Sequence, residues 1–512
     1  MMIKHPPCGR FRLKQGIRLL RASQEGGIIL QSNPLRALKI NQAAFDIIDK
    51  CRPGAAGDQA ARFDGSQGGM AFLDTLHQGG VLDWTPPQPQ SLPLVSIVIP
   101  VYNRPAEIAE CLSSLQSLDY PKDKIEVIVV DDASRDRTVA EVRRFDVRLI
   151  IQPTNMGQSA ARNVGVAAAR GEIIAFLDSD CIAEKGWLRE LVPYFQDPRV
   201  ALVGGYVGAY YDEKRMDRYE QVCSALNMGT DEVLGRGEGS VFYVPTCNML
   251  VRKEIYEQVG GLDETQQVGE DVDLCWRMMQ AKHHLFYIPR GRVLHKHRNQ
   301  LLTGFLRRFD YGTSEAVLYA RFPKVAKLFP WQPAGLCIIF SIMVALAAGS
   351  WYWLLAAAGI FGIELGWKRM LLKRKMDIRL PVFEIATAVG KDHFQLAYYL
   401  AFYLVRYHLL GFVVLSFVVP SLIYLWLALV IFPTLVAYLR KRPRLSFPVF
   451  AFFYLAEHAF YQSGAFWGCL KQRSFRLYGI SFKYMGFLPK SGRRNKKRRL
   501  TLKKTADEAV AG

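Results

Sequence analysis

The sequence lacks the features of a disulfide-stabilised or secreted protein. Its nine cysteines are scattered singly, without a C-x-x-C pair, which excludes a regular disulfide framework and is typical of reduced thiols in the cytosol. The N-terminal stretch MMIKHPPCGRFRLKQG has no continuous apolar run. We therefore expect no secretory signal before the folded region, and we expect the chain before its hydrophobic C-terminal third to stay in the cytosol.

Two other absences narrow the possible functions. The turn after the strand VSIVIP reads VYNRPAE and has no G-x-G-x-x-G to admit a pyrophosphate closely, which argues against a nicotinamide oxidoreductase. Residues 471–504 contain no acid but thirteen Lys and Arg, within a net charge of +20. Such a block predicts contact with nucleic acid or acidic lipid, or a solvated tail without a partner. Its place directly after apolar segments favours a membrane, so no nucleic acid is expected.

The length and the apolar content of the chain indicate several domains. The chain has 512 residues, of which 50 % are apolar, enough for two to four domains with sizeable cores. Near the N-terminus, two strands around Gly26-Gly27 and a helix capped by Asn41 predict a small α+β module. We divide the chain into residues 1–88 (the N-terminal module), 92–325 (an α/β domain), 326–470 (a membrane-associated helical region) and 471–512 (a basic tail).

The hydrophobic region contains two long apolar stretches, residues 332–366 and 394–439. Each is too long for one membrane crossing of roughly 20 residues and slightly short for two. Basic residues flank both stretches, so we predict two hairpins that span the membrane or re-enter it, with a buried helical core as the alternative. Residues 448–469 include Glu457 and His458 among many aromatics, which predicts a helix at the membrane interface.

From Val95 onward, short Val- and Ile-rich runs alternate with helical patterns. This alternation predicts a mostly parallel sheet covered by helices on both faces. Polar residues gather where strands end, at Tyr102-Asn103, Asp131-Asp132 and Asp178–Asp180. Because open α/β sheets bind ligands beyond the carboxyl ends of their strands, we expect the chemistry there.

Asp178 and Asp180 follow the apolar strand EIIAFL. Two carboxylates at a strand end suit a hard cation such as Mg²⁺ or Mn²⁺, although a D-x-D triplet alone is also a common strand cap. A cation there could neutralise a departing nucleotide. Asp132 could accept a hydrogen bond from a base N–H, and Asp131 could equally cap the next turn.

Glu270 and Asp271 open a helix that continues as CWRMMQAKH. Acids in a first helical turn can simply complement the helix dipole. The functional interpretation makes Asp271 the general base that removes an acceptor proton, with Glu270 orienting it. His295 and His297 alternate in RVLHKHR, so one of them could complete a cation site with the D-x-D acids, the alternative being a surface pair.

These motifs occur in a familiar order. VSIVIPVYNR, VVDDAS, NMGQSAARNVG, FLDSD, CNMLVRKEIYEQVGGLDE and GEDVDLCWR, over residues 95–298, resemble the family 2 inverting glycosyltransferases of GT-A fold. The resemblance implies a Rossmann-like, mostly parallel sheet, a nucleotide-sugar donor and a Mg or Mn cofactor. It implies the following roles: Pro100, Tyr102, Asp132 and Arg162 at the nucleotide, Asp178 and Asp180 at the cation and diphosphate, Asn248 near the donor sugar, Asp271 as base and His295 as a further cation ligand.

The parts of the chain before and after the α/β domain make the resemblance more specific. The N-terminal module is similar to winged-helix-like peptide-recognition domains, and together with the hydrophobic, basic C-terminus it resembles the mycofactocin-system glycosyltransferases. These would transfer glucose from UDP-glucose to a peptide-derived redox cofactor. Since we expect the chain before the hydrophobic third to stay in the cytosol, we place the catalytic domain on the cytoplasmic face of the cell membrane. The Q-x-x-R-W motif of processive synthases is absent after the base, which argues against long-chain extrusion.

Two alternatives remain open at this point. One is a transferase whose acceptor is a lipid-linked or cell-surface polysaccharide, which the hydrophobic segments and the basic tail would suit. The other is a membrane scaffold with an inactive transferase fold, in which the N-terminal module recruits a peptide or protein. The intact acidic motifs argue against the scaffold.

Overall fold

The computed structural model describes residues 9–21, 26–32, 34–52, 67–237, 240–297 and 300–483. The chain forms two compact units. The helical unit contains residues 1–87, 328–436 and 480–512, and the sheet unit contains residues 88–327 and 437–479. The first boundary, between Pro87 and Gln88, lies in the proline-rich segment TPPQPQSLP (residues 85–93), between the predicted N-terminal module and the α/β domain.

The described residues form strands and helices in the following order. The strands are β1 (Arg10–Leu13), β2 (Ile17–Arg21), β3 (Gly26–Ser32), β4 (Leu35–Asn41), β5 (Leu82–Thr85), β6 (Val95–Val101), β7 (Ile125–Asp131), β8 (Arg148–Ile151), β9 (Ile173–Leu177), β10 (Cys181–Ala183), β11 (Val200–Gly204), β12 (Val207–Ala209), β13 (Val233–Gly235), β14 (Asn248–Arg252), β15 (His284–Tyr287), β16 (Val293–His295), β17 (Lys327–Pro330) and β18 (Ile480–Lys483). The α-helices are α1 (Gln42–Asp49), α2 (Gln67–Gln78), α3 (Pro105–Leu115), α4 (Thr138–Val142), α5 (Gln158–Ala168), α6 (Trp187–Leu191), α7 (Arg215–Cys223), α8 (Lys253–Gln258), α9 (Glu270–Gln280), α10 (Leu301–Arg321), α11 (Pro333–Ala348), α12 (Tyr352–Met376), α13 (Val382–Val418), α14 (Ile423–Lys441) and α15 (Phe447–Gln472).

The N-terminal part of the helical unit is a small α+β module. β2, β3 and β4 form an antiparallel sheet, and β1 pairs with β5. Gly26 and Gly27 lie inside β3, with Gly27 opposite Arg21, so these glycines belong to the strand and not to a turn around them. Residues 22–25, between β2 and β3, lie outside the described part. Asn41 caps α1 as predicted, since its Oδ1 accepts a hydrogen bond of 3.0 Å from the Ala44 amide.

The long helices of the helical unit share a core with this module. Leu372, Ile385 and Val389 of α12 and α13 form a buried cluster, and Leu35 and Ala37 from the β4 region pack against it. Because burying these apolar side chains excludes water from both parts, the predicted N-terminal module and the predicted helical region fold as one compact unit.

The apolar stretches form helices, as predicted. Residues 332–366 lie in the pair α11 and α12, and residues 394–439 lie in α13 and α14, separated by a short 3-10 turn at Pro420–Leu422. By length and composition alone, α13 and α14 are apolar enough to cross a membrane, whereas α11 is apolar but shorter. Phe417 at the end of α13 is 83 % exposed, which suits a lipid environment better than water. These helices support membrane association.

The predicted interfacial segment has a different environment. Residues 448–469 lie in α15, which belongs to the sheet unit and packs along α10. The two helices approach closely at Gly464, where a Cβ atom would lie 1.9 Å from the carbonyl oxygen of Phe309. Glu457 and His458 are buried and do not face a membrane interface, because their polar character serves contacts within the sheet unit.

The sheet unit is built on an eight-stranded sheet in the order β13-β15-β11-β14-β9-β6-β7-β8. Neighbours from β9 to β8 are parallel, and β14 is antiparallel to both β9 and β11. β6 and β9 are buried along their whole length, as expected for strands covered on both faces. The predicted α/β fold with a mostly parallel sheet is confirmed.

A second, three-stranded sheet in the order β10-β16-β12 follows the central one. β10 and β16 are antiparallel, with Cys181 directly opposite His295. β10 starts immediately after the Asp178–Asp180 segment. Its pairing with β16 therefore brings the RVLHKHR motif, which contains His295, to the end of β9.

Candidate active site

The centre of the site is the guanidinium of Arg162, on α5. Its Nη2 donates a hydrogen bond of 2.5 Å to Asp178 Oδ1, and its Nη1 donates one of 3.2 Å to Glu270 Oε1. Arg162 is only 1 % exposed. Burial opposes its charge, but the two carboxylates outweigh burial and raise the pKa of Arg162. The acids at the end of β9 and those at the start of α9 therefore lie in one place.

The first turn of α9 presents acids with different environments. Glu270 is buried and accepts a second hydrogen bond, of 2.8 Å, from Gln158 Nε2. Asp273 is fully buried and is held by Arg277 at 2.7 Å and by Arg321 at 2.8 Å. Asp273 therefore has a structural role. Glu270 is fixed in position by its two donors.

Asp271 is the half-buried member of this turn. Its Oδ1 accepts a hydrogen bond of 2.8 Å from the Val272 amide. Asp271 therefore also interacts with the N-terminus of the helix, which was the structural alternative considered for it. Burial, followed by the neighbouring charge of Glu270, raises the pKa of Asp271 to about 7. A carboxylate with this pKa is suited to accept a proton near neutral pH.

Asp180 and His295 form the second part of the site. His295 Nε2 lies 3.5 Å from Asp180 Oδ1, and Arg104 also forms an ion pair with Asp180. Burial opposes ionisation of Asp180, but His295 and then Arg104 outweigh it and lower the pKa of this carboxyl. His297 lies beside His295, with their Nδ1 atoms 3.2 Å apart. The sequence predicted that one of the two histidines completes a cation site with the D-x-D acids, and His295 is the one that lies beside Asp180.

These residues fit a divalent cation. One ligand atom each from Asp180, Cys181 and His295 lies within 4.8 Å of the others. Asp178, which was predicted as a cation ligand as well, lies outside this group of three, and its Oδ1 accepts a hydrogen bond from Arg162. Asp180 and His295 are therefore the predicted ligands whose side chains lie together.

The predicted nucleotide residues lie along the ends of β6 and β7. Pro100 lies in β6 opposite Val130, and Tyr102 is 42 % exposed. Asp132 is buried, and its two carboxylate oxygens accept backbone hydrogen bonds of 2.7 Å from Met156 and 2.8 Å from Gly157. Each oxygen keeps one further lone pair for a ligand.

Asp131 has the capping role that was considered for it. Its Oδ2 accepts a hydrogen bond of 2.9 Å from the Ser134 amide, and its side chain is buried. This interaction closes the turn after β7 and so fixes the position of Asp132 next to it.

Asn248, which the family resemblance places near the donor sugar, makes three hydrogen bonds within the protein. It is fully buried at the start of β14, and its Oδ1 accepts a hydrogen bond of 2.7 Å from Trp187 Nε1. Its Nδ2 donates two of 2.9 Å to the carbonyls of Tyr206 and Gly291. With both amide hydrogens used and no exposed surface, this side chain joins three segments of the protein, and its place near a donor sugar stays a prediction.

Three polar residues of the site were not predicted from the sequence. Arg104 pairs with Asp180, Gln158 donates to Glu270, and Arg307 of α10 interacts electrostatically with Glu270. Arg104 directly follows the Tyr102-Asn103 strand end, which was a usable signal. Gln158 and Arg307 reach the site only through the packing of α5 and α10.

Comparison with known proteins shows which protein family this chain resembles. Residues 96–260 match the model of "Glycosyl transferase family 2". The pre-mycofactocin glycosyltransferase of Mycobacterium tuberculosis is 33 % identical over 65 % of this chain and 68 % of its own length. Glycosyltransferase AglE of Haloferax volcanii is 35 % identical over 38 % of this chain and 65 % of its own. A mannosyltransferase from Pyrobaculum calidifontis, solved with GDP-Man and Mn²⁺, has 20 % identity and a TM-score of 0.38, covering 62 % of this chain and 90 % of that one.

The mostly parallel α/β sheet is that of a sugar transferase with a GT-A fold. The matched residues contain β6 to β9, the Asp178–Asp180 segment and Arg162. The similarity to the mycobacterial relative extends over two thirds of that protein. The chain belongs to glycosyltransferase family 2.

Proposed function

We propose that the protein is a cation-dependent inverting glycosyltransferase with Asp271 as its general base. The observation that carries the proposal is the Arg162 guanidinium, which joins Asp178 at the end of β9 to Glu270 at the start of α9. The side chain next to Glu270 is a half-buried carboxylate whose pKa is raised to about 7. An acceptor hydroxyl placed against Asp271 would therefore be close to a donor held at Asp178.

The donor would lie across the ends of β6, β7 and β9. Pro100, Tyr102 and Asp132 would contact the nucleoside, and Asp178 and Arg162 would contact the sugar-diphosphate part. Asp180 and His295 would hold Mg²⁺ or Mn²⁺, an ion that supplies positive charge against a departing diphosphate. Arg104 and Arg162 would add positive charge at the same location.

The proposed reaction is a single displacement. The acceptor oxygen loses its proton to Asp271 and attacks the anomeric carbon on the face opposite the nucleoside diphosphate, so an α-linked donor gives a β-linked product. Holding both substrates in one cleft would contribute most of the rate, and the base about 10²–10⁴-fold.

For substrates we propose UDP-glucose as donor and a peptide-derived redox cofactor of mycofactocin type as acceptor. The support is the 33 % identity to the pre-mycofactocin glycosyltransferase. The N-terminal module (residues 1–88) would bind the peptide part. We further propose that the protein is attached to the cell membrane with its sheet unit on the cytoplasmic face, which α13 and α14 support by length and composition.

A second candidate is a transferase whose acceptor is lipid-linked or part of a surface polysaccharide. The two apolar helices α13 and α14 favour it, because they would hold the enzyme beside an acceptor in the bilayer. Purified protein that glycosylates a polyprenyl-phosphate lipid and ignores soluble acceptors would favour this candidate over the first.

A donor screen tests the core of the proposal. Release of nucleoside diphosphate is measured for a set of UDP- and GDP-sugars, with Mn²⁺ and with a chelator, for the wild type, Asp271→Asn and the control Glu254→Gln, which changes an exposed acid of α8. We expect chelator-sensitive release from UDP-glucose, transfer lost in Asp271→Asn while calorimetry still detects donor binding, and an unchanged control. Turnover that is insensitive to the chelator would overturn the cation role, and transfer by Asp271→Asn would overturn the base.

A further inference from the structure

Two helices of the helical unit, α11 and α12, pack together as a hairpin with an apolar surface. Residues 333–363, which form α11 and the first half of α12, contain no charged side chain. Phe340 on α11 is 61 % exposed, and Ile363 on α12 is 75 % exposed. An exposed apolar surface along two helices is unusual for a protein in water and marks a contact with a membrane or with another protein.

Tryptophan and tyrosine side chains at both ends of the hairpin favour the membrane. The turn between α11 and α12 carries Trp351, Tyr352 and Trp353, which are all exposed. The opposite end carries Trp331, before α11, and Trp367, in the second half of α12, which are exposed as well. Because Trp and Tyr are enriched at both surfaces of a bilayer, this pattern predicts one membrane surface at each end of the hairpin.

The length of the hairpin matches one membrane thickness. α11 has 16 residues, which corresponds to about 24 Å at 1.5 Å per residue, and Trp331 and Trp351 lie beyond its two ends. The hydrocarbon core of a bilayer is about 30 Å thick, so the segment between these two tryptophans is long enough to cross it. The segment of α12 from Trp353 to Trp367 is somewhat shorter, and local thinning of the bilayer accommodates such a shortfall.

The charges of the hairpin lie at the end opposite to the turn. Glu364 is the first charged residue of α12, and its carboxylate oxygens lie 2.6 Å from His393 Nε2 on α13 and 2.9 Å from Lys368 Nζ. Ionisable groups that are paired in this way within a helix bundle are tolerated at a membrane. Residues 373–375 add three basic side chains in the last turn of α12, and such a cluster is typical of the cytoplasmic side.

The turn distinguishes a hairpin that crosses the membrane from one that only re-enters it. Residues 349–351 are not helical, and the side chain of Trp351 is exposed, so the turn is not enclosed by the described part of the protein. Non-helical backbone is not tolerated in the hydrocarbon region when it faces lipid, because its polar groups would lack partners there. The turn must therefore reach lipid headgroups or water.

α11 also runs in the same direction as α13. It begins beside α13, where a Cβ atom at Gly335 would lie 2.7 Å from His393 Nδ1, and it contacts the turn at Pro420–Leu422 that follows α13. The turns of both hairpins therefore lie on one side. We infer that α11 and α12 cross the lipid bilayer as a second hairpin beside α13 and α14, with residues 349–353 at the membrane surface opposite to the basic end. This inference rests on the proposed membrane attachment.

Cysteine labelling in cells that express the full-length protein tests the inference. A membrane-impermeant maleimide is added to intact cells and, separately, to permeabilised cells. Ser350→Cys reports on the turn, and Lys373→Cys, an exposed position in the basic end of α12, is the matched control. Both are made together with Cys337→Ala, which removes an exposed thiol of α11 and gives the background by itself. Ser350→Cys should be labelled fully in intact cells, and Lys373→Cys only after permeabilisation.

Each outcome bears on one of the two proposals. Labelling of both variants under the same condition, or labelling of Ser350→Cys only after detergent dissolves the bilayer, would overturn the crossing. Trp351→Cys is a second reporter of the turn if Ser350→Cys does not accumulate in the membrane fraction. Labelling in the reverse order would overturn the cytoplasmic placement and leave the crossing intact. Release of the wild type from membranes by alkaline carbonate would overturn the membrane attachment itself.

Discussion

The protonation of Asp271 gives the sharpest test of the proposed chemistry. In the wild type its pKa is raised to about 7, first by burial and then by the charge of Glu270. A general base works only in its deprotonated form. We therefore expect kcat/KM for sugar transfer to fall as the pH drops through this value, and we expect Asp271→Asn to remove the dependence together with the rate.

The expected size of the effect follows from the pKa. With a pKa of about 7, roughly one tenth of Asp271 is ionised at pH 6 and roughly nine tenths at pH 8, so kcat/KM should rise about tenfold between them. Asp271→Asn should lower the rate at pH 8 by about 10²–10⁴-fold. The residual rate of the variant should be nearly independent of pH over the same interval.

The assay is nucleoside diphosphate release with saturating Mn²⁺, between about pH 6 and pH 8, with Glu254→Gln as the control. Folding is checked by the melting temperature. Because the pKa of Asp271 is raised in the folded protein, its ionised form destabilises the fold above the ordinary carboxyl pKa. Asp271→Asn should therefore not melt at a lower temperature than the wild type at pH 8. A flat profile in the wild type, or the same profile in both proteins, would refute the assignment.

Three further predictions address the cation, the buried ions and the tail. Asp180→Ala should abolish Mn²⁺-dependent diphosphate release without lowering the melting temperature by more than a few degrees, and calorimetry should show that the Mn²⁺ affinity is lost. Arg308→Met should destabilise the protein by about 3–5 kcal/mol, because Arg308 forms a hydrogen bond of 2.6 Å to Glu220 and lies 3.7 Å from Glu457 in the interior; denaturant unfolding should show this loss, and Gln at both acids should recover much of it. Removing residues 484–512, which carry nine Lys and Arg, should weaken binding to anionic vesicles mainly at low ionic strength, and an effect that is independent of salt would contradict the proposed lipid contact.

The fold of the sheet unit could be predicted because its strands repeat a simple pattern. β6, β7 and β9 are short runs of Val and Ile with helices between them, and a buried parallel strand has few other sequence signatures. The role of α15 could not be predicted in this way. Glu457 makes the helix look amphipathic, but its Oε2 accepts a hydrogen bond of 2.7 Å from Tyr219, a residue 238 positions away. Only the tertiary structure shows that this acid has a buried partner.

The same distinction applies to the site. A carboxylate at the end of a strand is visible in the sequence because the strand itself is, and Asp178 and Asp180 were identified for that reason. Asp271 was identified in the same way from the start of a helix. What such a carboxylate contacts depends on which other element arrives there. Arg162 and Asn248 both belong to motifs that the family resemblance assigned to the donor. Arg162 does lie between Asp178 and Glu270. The side chain of Asn248, in contrast, makes all its hydrogen bonds within the protein.

Cys181 shows why register matters more than motif at this site. In the sequence it is one of nine isolated cysteines, directly after a D-x-D triplet and more than a hundred residues from His295. The two meet only because β10 pairs with β16 in a register that puts them opposite each other. A shift of one residue in this pairing would turn the side chain of His295 to the other face of the three-stranded sheet, away from Asp180. The position of His295 beside Asp180 thus depends on a backbone pairing that no local pattern in the sequence specifies.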